Sequence, residues 1–141
     1  MTLLLALLAA CDTGSEACIA AKDQARTAWG EVSVRYGLAL KTAEEAQKEP
    51  ASRLAAMERR PDAPQAGKDA LAAEIARFQT EIEALRPKAE TAEVVAGAFA
   101  GQKASDALAL ATSMAPRLEG PDVGAALARA EAAAAACGGV E

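Results

Sequence analysis

Three cysteines and no histidine define the chemistry open to this 141-residue chain. Without imidazole there is no Ser-His-Asp or Cys-His arrangement and no histidine metal site, which excludes most familiar hydrolases. The thiols are Cys11, Cys18 and Cys137. Their odd number does not suit a disulfide framework that pairs every cysteine. Carboxylates are the other candidates for acid-base work or for holding a metal: Glu44-Glu45, Glu81 with Glu83, and Glu90 with Glu93. Each pair has Lys or Arg nearby and lies off the apolar stripes, the pattern of a solvated face. Arg59-Arg60 reads as a solvated loop, the alternative being a partner contact. Gly97, Gly101 and Ser105 form a small-xxx-small series, which in a membrane draws helices together. The apolar run around them is too short to span one, so the series reads as a close soluble crossing or a helix end. No catalytic residue, cofactor or metal is expected. An enzyme working with carboxylates alone is the least favoured class.

The first cysteine stands in a distinctive context, "LLALLAACDTGSEAC". Leu3 to Ala10 are all apolar, and polarity begins at Asp12, directly after Cys11. A membrane-crossing helix needs about 20 apolar residues, so this run is too short for one. It has the length and small-residue ending of a secretory h-region. Leu8-Ala9-Ala10-Cys11 resembles the lipobox of bacterial lipoproteins at all four positions; the segment ahead of the run is only Met1-Thr2, without Lys or Arg. The resemblance implies a signal peptide over 1–10, cleavage before Cys11, and a lipidated Cys11 that anchors the mature chain. It also implies acylation by several chains, since a single chain holds a protein only marginally, at roughly 10⁴ M⁻¹. Asp12 follows the anchor, a position that favours inner-membrane retention in enterobacteria-like sorting; inner and outer membrane both stay open. With Cys11 carrying lipid, Cys18 and Cys137 remain as one pair able to bridge in an oxidising compartment.

The elements that must position these residues are helices. The apolar fraction is 52%, and alanine supplies more than half of it. Large apolar side chains are sparse beyond Cys11, roughly one residue in five, near the level at which cores fail. Alanine is also the best helix former, and aromatics at 3% leave little material for a sheet. The net charge of −5 argues against nucleic acid and anionic membrane surfaces as partners.

A first stripe runs Cys18, Ala25, Trp29, Val32, Tyr36, Ala39, Ala43, Ala46, with Pro50 ending or kinking the helix near Glu49. Trp29, Val32, Ser33 and Tyr36 match the spacing of the first helix of a tetratricopeptide repeat, but no glycine turn or second copy follows, and no repeat is assigned. "RRPDAPQAG" reads as a hairpin tip. Helices of about 33 residues on either side would be roughly 50 Å long, which would hold the tip well away from the bilayer. A second stripe, Leu71, Ile75, Phe78, Ile82, Leu85, Ala89, Ala92, Ala96, Phe99, starts near Gly67 and keeps its phase through Pro87. Ser105 reads as the N-cap of a third helix carrying Leu108, Ala111, Ala115 and Leu118. A fourth, from about Asp122, carries Val123, Leu127, Ala130, Ala134 and Cys137.

The expectation is an all-α, Ala-rich antiparallel bundle of about four helices, two long and two short. Residues 1–10 are the signal peptide, 11–17 the lipidated cysteine and tether, and 18–141 the bundle domain. An even number of passes returns Cys137 to the level of Cys18. The function expected is a lipid-anchored envelope or periplasm-facing protein that binds, scaffolds or assists a protein partner without catalysis. The alternative is a cytosolic helical adaptor.

Overall fold

The computed structural model describes residues 2–141, with side chains from Ser15 onward; Cys11 and the apolar run before it lie outside the described side chains. The described chain is all-helical, with no strand among the described residues. Its elements are α1 (Thr2–Glu58), α2 (Gln65–Gly101), α3 (Ala104–Met114), a 3-10 turn (Ala115–Arg117) and α4 (Pro121–Cys137). Among the described residues, no helix is long and apolar enough to cross a membrane.

The chain divides into two compact units, one made of Met1–Ser33 with Glu90–Glu141 and the other of Val34–Ala89. In the second unit, α1 turns one face inward through Tyr36, Leu40, Ala43, Gln47, Pro50, Leu54 and Met57, all buried or half-buried. The alternation of four and three is that of a helix packed along one seam. The sequence expectation differs at Ala39 and Ala46, which are exposed; of the two readings at Pro50, an end is excluded, and the helix runs through it to Glu58. Proline removes one backbone donor, and here its ring is buried with the seam.

Pairs across this unit ascend in α1 as they descend in α2. The Arg86 guanidinium donates to Glu44 at 3.5 Å, and the Gln47 amide donates to Gln79 Oε1 at 3.2 Å and to the Ile75 carbonyl at 3.3 Å. Near the 59–64 turn, a Cβ on Gly67 would lie 2.8 Å from Met57 Cε, so glycine permits this close approach. Pro87 sits inside α2, and all nine residues of the Leu71-to-Phe99 stripe are buried or half-buried, as the spacing predicts.

The first unit holds the largest fully buried side chains, Trp29, Phe99, Val32, Val95 and Cys137. Burying a large side chain contributes roughly 1.5–3 kcal/mol. The remaining core is mostly alanine: Ala104, Ala107 and Ala111 on α3, and Ala126, Ala130 and Ala133 on α4. On α4, Val123, Ala130 and Cys137 are buried as expected, while Leu127 and Ala134 are only half-buried and Ala126 and Ala133 take the inward places beside them. Alanine on nearly every face makes one phase hard to tell from the next by pattern. Gly120 adopts φ 114° ahead of α4, a backbone conformation open to glycine, and Pro121 opens the helix. α3 is shorter than expected: it ends at Met114, and Leu118 is buried from beyond the 3-10 turn.

Candidate functional site

Cys18 on α1 and Cys137, the last residue of α4, are joined as a disulfide with Cα atoms 4.6 Å apart. Both are buried, Cys18 to 5% and Cys137 to 1% residual exposure. α2 stops at Gly101 and α3 begins at Ala104, and Cys137 closes the fourth helix.

A charged network lies beside the bridge. Lys22, one turn beyond Cys18, donates through Nζ to Glu141 Oε1 at 2.7 Å and to the Gln102 carbonyl at 2.8 Å. Glu141 Oε2 accepts the Ala104 N–H at 2.6 Å. The carboxylate therefore caps α3, whose own N-cap residue, Lys103, makes no side-chain bond. The Lys22 hydrogen bond and then the Ala104 N–H hold the Glu141 carboxyl below its ordinary value, by stabilising the charged form.

This corrects the expectation at Ser105, which is a helical residue past the cap position. Sequence reasoning missed Glu141 because its partners lie 37 and 119 residues away, beyond any local capping signal.

The Cys18 and Cys137 sulfurs and a Glu141 oxygen lie within 4.8 Å of one another, a ligand-like set among the described residues. With the sulfurs bonded to each other, neither is a thiolate ligand. In the same unit a groove of about 530 Å³ has Ile19, Ala20, Phe99 and Ala100 as its apolar lining, with Lys22 and Arg26 among its charged residues. Ile19 is 65% exposed, and Arg26 pairs with Asp23 at 2.6 Å.

The acidic pairs do not converge on a site. Glu44, Glu45, Glu81, Glu83, Glu90 and Glu93 are all exposed. Lys48, at 2.7 Å, lowers the Glu45 carboxyl from its ordinary value, opposite to the shift a general acid needs. Among the described residues, no charged side chain is buried. Arg59 and Arg60 are exposed in the turn before α2. A Cβ at Gly97 or Gly101 would meet nothing within 4 Å, so these glycines mark no close crossing within the chain; Gly101 is the end of α2. No protein-family model, curated protein or solved structure matches this chain.

Proposed function

We propose that this is a bacterial lipoprotein of the cell envelope, anchored through lipid on Cys11 and acting as a non-catalytic binding, scaffold or accessory subunit for a protein partner. The observation carrying the reading is Leu8-Ala9-Ala10-Cys11 with polarity starting at Asp12. The Cys18–Cys137 bond supports it, because it leaves Cys11 as the odd thiol, the atom that a diacylglyceryl group would occupy. A buried disulfide also suits an oxidising compartment outside the cytosol. Within this reading the four helices form an antiparallel bundle, and the second unit presents the 59–64 turn to a partner. The groove beside Ile19 offers a further contact, since an exposed large apolar side chain on a concave surface suits protein recognition.

Growth of the native host with a clickable fatty-acid analogue tests the anchor. Wild type should label and partition into detergent, and Cys11→Ala should do neither. Two unlabelled, water-soluble proteins would leave the lipobox a coincidence. Crosslinking in the native membrane followed by pulldown then identifies the partner.

A further inference from the structure

We propose that the Cys18–Cys137 disulfide and the Glu141 carboxylate form one redox-sensitive clamp, in which reducing the bond releases Glu141 from the start of α3 and from Lys22. The clamp is built in a short stretch of chain. The disulfide fastens the end of α4 to α1. Beyond it, the N–H groups of Val140 and Glu141 both donate to the Cys137 carbonyl, at 3.1 and 3.3 Å, folding the chain back as a turn. That turn places the Glu141 carboxylate between two donors on different elements, Lys22 Nζ on α1 and the Ala104 N–H of α3. α3 has no side-chain cap from its own N-cap residue, so the bond to Glu141 replaces a local cap. The covalent bond is what holds this turn beside Lys22, since Cys18 and Lys22 are one helical turn apart.

A dithiol reductant supplies the two electrons. Its thiolate attacks Sγ of Cys18, the less buried of the two residues, and forms a mixed disulfide as Cys137 leaves as a thiolate and takes a proton. The second reductant thiol closes a ring disulfide and releases Cys18 as a thiol. The reductant is oxidised and both cysteines are reduced. With α4 no longer tied to α1, the carboxylate loses its fixed position, and the Ala104 N–H loses its acceptor. Lys22 loses its carboxylate partner on the wall of the groove, which gains positive charge there. The coupling is reciprocal: a clamp held by the disulfide also shields it.

The test uses the full chain, oxidised or treated with dithiothreitol, with thiols at Cys18 and Cys137 counted by differential alkylation and amide exchange read at Ala104. On reduction, Ala104 exchange should rise about three- to tenfold more than exchange at the interior amides of α3, the range for losing one cap, while helicity by circular dichroism persists. Oxidised Glu141→Ala should show the same rise without reductant, and its disulfide should be reduced about three- to tenfold faster than that of wild type. Lys22→Gln should accelerate reduction in the same direction. Unchanged Ala104 exchange on reduction, wild-type reduction rates in both variants, or loss of all helix on reduction would each overturn the clamp.

Discussion

Removing the disulfide with Cys18→Ala/Cys137→Ala should produce a large loss of stability. The bond joins residues 119 apart. In the chain-entropy model, closing a loop of that length in the unfolded state stabilises the fold by about 5 kcal/mol. For comparison, the whole stability of a domain is commonly about 5–15 kcal/mol, and this core contains few large side chains to offset the loss. Unfolding entropy for 141 residues converts the loss to a fall in melting temperature of roughly 15–20 °C. Urea titration of the oxidised wild type and the double variant, followed by circular dichroism, gives the difference directly. The slope should also be steeper in the variant, since an uncrosslinked chain exposes more surface on unfolding. A loss below about 1 kcal/mol with equal slopes would refute the reasoning, because the bond would then not be constraining the unfolded chain.

Three further outcomes follow from particular residues. Gly30→Ala and Gly37→Ala should each stabilise the protein by about 0.5–1 kcal/mol, since a Cβ at either position meets nothing within 4 Å; Gly120→Ala should cost roughly 1–3 kcal/mol because its φ is 114°, both read by urea denaturation. The Glu141 carboxyl is lowered by its bonds to Lys22 and Ala104, so its contribution is fully present above its ordinary value of 4.5 and lost as pH falls through the lowered folded value. Amide exchange at Ala104, corrected for intrinsic rates, should lose protection in that acid range in wild type, and Glu141→Ala should remove the transition. Limited trypsin digestion should cut first at the Arg59–Arg60 bond, in the exposed turn before α2; first cleavage inside α1 or α2 would contradict the layout.

Legibility from sequence tracked side-chain size. The α2 stripe from Leu71 to Phe99 was readable because large residues occupy most of the seam and their neighbours are polar. In α1 the phase was readable to Tyr36 and again at Ala43, but not at Ala39 and Ala46, which are apolar by type yet exposed, while Gln47 and Pro50 line the seam. Gln47 can do so because its amide finds acceptors on α2. The alanines of α4 carry no phase of their own, hence the one-residue error at Leu127 and Ala134. The approach of Cys18 and Cys137 was legible from helix count, whereas the Glu141 cap was not: its two partners, Lys22 and Ala104, come from two distant segments, and only folding brings them to the carboxylate.

Intact mass spectrometry of the protein extracted from its native membrane decides whether Cys11 is the anchor. The expected species is a chain that begins at Cys11, carries a diacylglyceryl group and an acylated amino terminus, and lacks two further hydrogens for the Cys18–Cys137 bond. A chain that retains residues 1–10 with an unmodified Cys11 would contradict it.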